Sequence, residues 1–159
     1  MEINMKKKTH ITVTGLSCFF GTRPLEENGY ILLTKDPANP FDSEAIFAES
    51  LYWGRIGYVA NHPGTRLRGT ISAGRLYDRI PKRAIARIRF IADDCAICVL
   101  AGKKKTKKLL HKFNKKQEKF EELHDFLELP SLPGALVIRI LAAEANAYET
   151  PEENSRRWY

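Results

Sequence analysis

The chain has 159 residues, 43% of them hydrophobic, and a formal net charge of +7. That length suits one domain with a real core, and no apolar run approaches the roughly 20 residues that cross a bilayer as a helix. Three cysteines, an odd number, argue against a disulfide scaffold.

In chain order, Lys6-Lys7-Lys8 is followed by a short alternating segment and not by the apolar core of a signal peptide, so a cytoplasmic protein is expected. Thr9-His10-Ile11-Thr12-Val13-Thr14 alternates apolar and polar with β-branched residues and predicts a strand. Gly15 to Asn28 holds Gly, Pro and acidic residues and reads as a loop. Tyr30–Lys35 is a second strand. Pro37, Asn39 and Pro40 make a turn that no helix interior accommodates. Two more strands follow, Ala45–Glu49 and Tyr52–Val59, joined around Ser50-Leu51, and then a turn at Asn61-His62-Pro63-Gly64.

Gly69 and Gly74 argue against a helix in residues 65–82, which read as irregular. Ala84–Phe90 alternates well, Asp93-Asp94 marks a turn, and Cys95–Leu100 pairs back as a hairpin. The alternating segments 9–16, 29–35, 44–49, 52–59, 83–91 and 95–101 are expected to form one barrel. The Cys95-Ala96-Ile97-Cys98 spacing lies in an apolar strand whose residues three apart face opposite ways, and no second pair completes a zinc site. Both cysteines are therefore expected to be structural, with no metal.

The character changes at residue 103. Leu109, Leu110, Phe113, Phe120, Leu123 and Leu127 recur at mostly helical intervals over 104–128. Residues 103–119 hold nine Lys and one Glu, whereas residues 120–159 hold three basic and eight acidic groups. An amphipathic helix is expected over 103–129, packed on a barrel formed by 1–102. Pro130 and Pro133 end it, a final strand of the same domain falls within 130–147, and 148–159 forms a polar tail. The lysine tract reads either as a solvated helix face or as a phosphate clamp through Lys104, Lys107, Lys108 and Lys112.

Asn39-Pro40-Phe41-Asp42 places an amide, a ring and a carboxylate within four residues. As turn chemistry, Asn and Asp bond to their own backbone and the Phe plugs the core. As a binding site, the ring stacks on a base, the Asn39 amide shapes the pocket or offers a paired donor and acceptor to a base edge, and the carboxylate accepts from a hydroxyl. A carboxylate repels phosphate, so Asp42 suits a strand's end better than its middle. Eight basic residues, including Arg66 and Arg68, fall within 66–89 against the single acid Asp78, and arginine suits bidentate phosphate contacts. No histidine spacing, Walker-type loop, nucleophile elbow or carboxylate pair points to catalysis or to a cofactor.

The Asn39-Pro40-Phe41-Asp42 turn, the Ala45-Ile46 pair after it, and the strand Gly54-Arg55-Ile56-Gly57-Tyr58-Val59 together resemble the HIRAN domain. This small β module is attached to some DNA-repair ATPases and is also found alone in bacteria. The resemblance covers about Ile11 to Val99, and the family's usual Tyr in the turn is Phe41 here. It implies a small OB-like β-barrel, which with the C-terminal amphipathic helix and late strand read above makes a mainly β protein the expectation. It also implies capture of single-stranded DNA ends with a free 3′-hydroxyl.

The family's second aromatic falls at Cys18 or Phe19, and only Phe19 carries a ring that can stack. Residues after the strand glycine line the family's phosphate track, which implies that Tyr58 and Asn61 donate to phosphate. Gly69–Asp78 is similar to the stand-alone bacterial members. The expectation is thus a non-enzymatic DNA-binding module of repair or replication, with a helicase or ATPase as a possible partner and no small-molecule substrate. The alternative is a protein-interaction module that receives a partner segment in the barrel groove and on the amphipathic helix.

Overall fold

The computed structural model describes residues 7–126. Six strands form a closed antiparallel barrel: β1 (His10–Thr14), β2 (Tyr30–Lys35), β3 (Ile46–Ser50), β4 (Gly54–Val59), β5 (Arg83–Ile91) and β6 (Cys95–Leu100), in the order β1-β4-β3-β2-β5-β6. The alternating segments thus became strands of one barrel, with a helix C-terminal to it. The turn between β3 and β4 falls at residues 51–53, slightly later than the pattern suggested.

Ile11, Val13, Ile31, Leu33, Ile46, Ala48, Ile56, Ala86, Ile88 and Cys98 fill the interior. Burial pushes the Cys98 thiol up to about 12, so it acts as a small apolar side chain. Closure occurs where β1 meets β4, Val13 opposite Val59 and Thr14 opposite Tyr58. A methyl group on Gly57 would lie 2.6 Å from the Thr14 carbonyl oxygen and 3.1 Å from Val13 Cγ1. Glycine is what lets the two backbones approach there.

Ile31-Leu32-Leu33 and Ala84-Ile85-Ala86 are continuous apolar runs because β2 and β5 are covered on both faces. Leu32 and Ile85 point outward and meet Phe113, Leu109 and Leu110 of the long helix α2 (Lys103–Phe126). The first half of the apolar stripe of α2, Leu109, Leu110 and Phe113, is therefore covered by the barrel, and Lys104, Lys107, Lys108 and Lys112 are exposed. Residues 127–129 of the expected helix, the strand expected within 130–147 and the tail at 148–159 lie outside the described residues.

Two local departures have clear causes. Residues 65–82 are not wholly irregular: Ala73–Tyr77 forms a short helix, α1, with Ser72 as its N-cap. Gly69 sits outside it at a φ of 88°, while Gly74 sits inside it. Ala73, Leu76 and Ile80 join the core, and this burial outweighs the poor helix propensity of one glycine. In β5 a bulge falls between Ile88 and Phe90, leaving Arg89 without a cross-strand partner and turning Phe90 outward, 63% exposed.

Candidate nucleic-acid interface

The turn after β2 is built by its own polar side chains. Asn39 Oδ1 accepts from the backbone N–H of Phe41 at 3.0 Å and of Asp42 at 3.2 Å. Asn39 Nδ2 donates to Asp36 Oδ2 at 3.4 Å. Pro37 and Pro40 fix the backbone between these contacts. The effect is to throw the Phe41 ring into solvent, 96% exposed. A ring that served only to plug the core would be buried, so that part of the turn-chemistry reading is corrected. The remainder holds, because Asn39 spends its side chain on the turn.

Asp42 stands beside this ring and is held from two sides. Its Oδ1 accepts from the Glu44 N–H and its Oδ2 from Asn61 Nδ2, both at 2.9 Å. Asn61 Oδ1 in turn accepts from the N–H of Gly74 at 2.9 Å. One amide thus ties three separate motifs together: the Asn-Pro-Phe-Asp turn, the end of β4 and the start of α1. A methyl group on Gly74 would lie at ordinary contact distance from Asn61 Oδ1, 3.4 Å, and would meet only the end of the flexible Glu44 side chain, at 2.6 Å.

A second cluster lies on the outer face of β3 and β4. The rings of Phe19 and Tyr58 are 6.1 Å apart, inclined at 44°. The Phe19 loop is itself anchored, because the Ser17 N–H donates to Asp94 Oδ1 at 2.7 Å and holds the Asp94 carboxyl below its ordinary range. Phe20 packs edge-on against Trp53, with ring centroids 5.1 Å apart. Cys18 is exposed next to Phe19.

Arg55 connects the two clusters. Its Nη1 donates to Tyr58 Oη at 3.2 Å and lies 3.9 Å from Asp36 Oδ2, the oxygen that Asn39 also contacts. Its guanidinium lies over the Phe47 ring, 4.0 Å from the centroid. Glu49, opposite Arg55 in the ladder, has its carboxyl raised by burial, an effect partly offset by Arg83, Thr34 and Arg55.

The sequence-derived residues therefore divide. Asn39, Phe41, Asp42 and Asn61 gather at the turn, and Phe19 and Tyr58 pair beside it. Arg66 donates through Nη1 to the Thr70 carbonyl and helps to shape the 65–70 loop. Arg68 is exposed on the same loop. Lys104, Lys107, Lys108 and Lys112 belong to α2, which packs on Leu32 of β2 and Ile85 of β5 and reaches the β3–β4 turn at Leu51 and Tyr52.

Arg55 and Phe47 were not singled out by sequence reasoning, and Gly74 was read only as an obstacle to a helix. Arg55 lies inside a quoted motif, but its stacking partner Phe47 comes from the neighbouring strand. Among the described residues, no group of three or more His, Cys, Asp or Glu side chains is placed to hold a metal ion, and no helix is long and apolar enough to cross a membrane.

No protein-family model matches the chain, and no curated protein matches it. Among solved structures, the chain is similar to the crystal structure of the HIRAN domain of human HLTF, at 20% identity and a TM-score of 0.42, over 69% of this chain and 87% of that one.

Proposed function

We propose that the β2–β3 turn and the adjoining face of β3 and β4 bind single-stranded DNA and hold its end by the free 3′-hydroxyl. The observation that carries this reading is the pairing of Phe41, 96% exposed, with the neighbouring Asp42 carboxylate fixed by Asn61 and the Glu44 N–H. An apolar ring in water is a stacking surface without an occupant. A carboxylate beside it accepts a hydrogen bond from a hydroxyl and repels a phosphate. A terminal nucleotide presents a base and a hydroxyl with no phosphate beyond it.

Phe19 and Tyr58 extend the surface to the next nucleotide, with Arg66, Arg68 and the α2 lysines as outlying phosphate contacts. In this reading the protein catalyses nothing. It would hold an end for a repair or replication process, with a helicase or ATPase supplying the work. The protein-interaction alternative keeps less of the helix, because Leu109, Leu110 and Phe113 of α2 already pack on Leu32 and Ile85.

The test is a binding titration with oligonucleotides of one sequence ending in 3′-hydroxyl or 3′-phosphate, and with the 3′ end blocked so that only the 5′ end is free. The 3′-hydroxyl strand should bind best. Phe41→Ala should weaken it by roughly 1–3 kcal/mol, the value of one stacked base. Asp42→Ala should erase the preference between 3′ ends while leaving much of the affinity. Equal binding of all three ends by the unmodified protein would sink end capture.

A further inference from the structure

We propose that Arg55 binds a backbone phosphate of the strand whose terminal nucleotide rests on Phe41 and Asp42. The inference depends on the function proposed above and adds the residue that would receive the chain's charge. Two acidic groups, Asp36 and Asp42, flank the turn, so the strand leaving it needs a cation on the same face. Arg55 is that cation by position: Asp36 links it to Asn39 of the turn, and its own Nη1 reaches Tyr58 of the aromatic pair.

Its pose is preset. The plane of the guanidinium is fixed by the Phe47 ring at 4.0 Å and one edge by Tyr58 Oη at 3.2 Å. Phe47 and Tyr58 stand directly opposite each other in the β3–β4 ladder, so the two restraints come from one rigid piece of sheet. Holding a long side chain in one geometry normally costs rotamer entropy on binding, and here most of that ordering precedes the ligand. The side chain is nevertheless 46% exposed, and no acceptor among the described residues takes Nε or Nη2. A planar edge with two spare donors matches phosphate.

The opposing contact is weak. Asp36 lies 3.9 Å away, beyond hydrogen-bond length, so the contact is a long one with no hydrogen bond to break. A phosphate can therefore displace it. Two other cations are engaged away from this face: Arg83 Nη1 donates to Asn114 at 2.7 Å, and Lys35 lies over the Tyr77 ring at 4.4 Å.

The experiment uses the full chain and a short single-stranded DNA with a 3′-hydroxyl, together with a set in which one linkage at a time is a neutral methylphosphonate. Arg55→Ala should weaken binding about tenfold, as expected for a hydrogen-bonded charge contact. Arg55→Lys should recover little, because an ammonium cannot reproduce the stacked, forked geometry. The salt slope should fall by about 0.7, the value for one phosphate contact on a single strand. One neutral linkage near the 3′ end should weaken the unmodified protein and have no further effect in Arg55→Ala.

Thermal melting checks that each variant is folded, and Arg55→Gln carries the test if Arg55→Ala melts early. Unchanged affinity in the folded Arg55 variants, with end preference intact in the unmodified protein, overturns the role of Arg55 alone. An unmodified protein with no preference for 3′-hydroxyl ends overturns the proposed function instead.

Discussion

Asn61 Nδ2 donates to Asp42 Oδ2 at 2.9 Å, joining residues 19 apart in sequence. The opposite end of the same amide is fixed by the Gly74 N–H. Asn61 has no freedom to flip without breaking both bonds, so the direction of the Asp42 carboxylate is set by α1 as much as by its own turn. Asn61 is in that sense a positioning residue, a different role from the phosphate donor suggested by its place after β4.

The two roles of Asn61 separate in one measurement. If it positions Asp42, Asn61→Ala should reduce discrimination between 3′-hydroxyl and 3′-phosphate ends by about 1 kcal/mol, the usual worth of one hydrogen bond. If it only donates to phosphate, affinity for both ends should fall equally. Titrating both oligonucleotides against the variant decides between them.

Changing Lys104, Lys107, Lys108 and Lys112 together to Gln tests the α2 face. If these side chains neutralise phosphates, the change should weaken every DNA ligand and flatten the salt dependence by about 0.7 for each phosphate no longer neutralised. Their exposure also fits a solvated surface, and unchanged binding would assign them to solubility alone.

Gly57→Ala should destabilise the fold by about 1–3 kcal/mol, the range for overpacking a close-packed site. The added methyl group meets the Thr14 carbonyl, which belongs to backbone and cannot swing aside. Gly74→Ala should be far milder, because the group in its way is the mobile end of the Glu44 side chain. Denaturant midpoints for the two variants give the comparison.

Glu49 sets a pH dependence. Burial raises its carboxyl above the ordinary carboxylate range. The folded state therefore holds this proton more tightly than the unfolded chain, and stability falls as pH rises from the unfolded value through the raised one. Glu49→Gln should accordingly raise Tm at pH 7. The advantage should vanish below about pH 4, where the unfolded carboxyl is protonated too. A Tm difference that grows on acidification would contradict the burial argument.

The strands were legible because strand periodicity is local: Thr9–Thr14 and Ala84–Phe90 announce themselves by alternation, and the apolar run at Ile31–Leu33 marks a strand buried on both faces. The helix α1 was not legible, since Gly74 lowers its local propensity and the compensation comes from burial of Ala73 and Leu76. At the interface, the turn itself could be read from Asn39, Pro40 and Asp42. The exposure of Phe41 could not, because sequence alone does not say which way a ring in a turn will face. The Asp42–Asn61–Gly74 chain and the Arg55–Phe47 stack each join residues through tertiary geometry, which leaves no periodic trace.

The barrel is stitched unevenly. β1 faces β6 across five residue pairs, from His10 with Val99 to Thr14 with Cys95, but it meets β4 across only two. Amide protons at that short seam should exchange with solvent sooner than those between β1 and β6, because fewer bonds must open together. Phe19 follows β1 and Tyr58 belongs to β4, so the aromatic pair straddles the seam. Its two rings are carried by the two sides of the barrel's least-laced edge. A strand laid across both rings would work as a clasp, slowing the breathing of the protein that holds it.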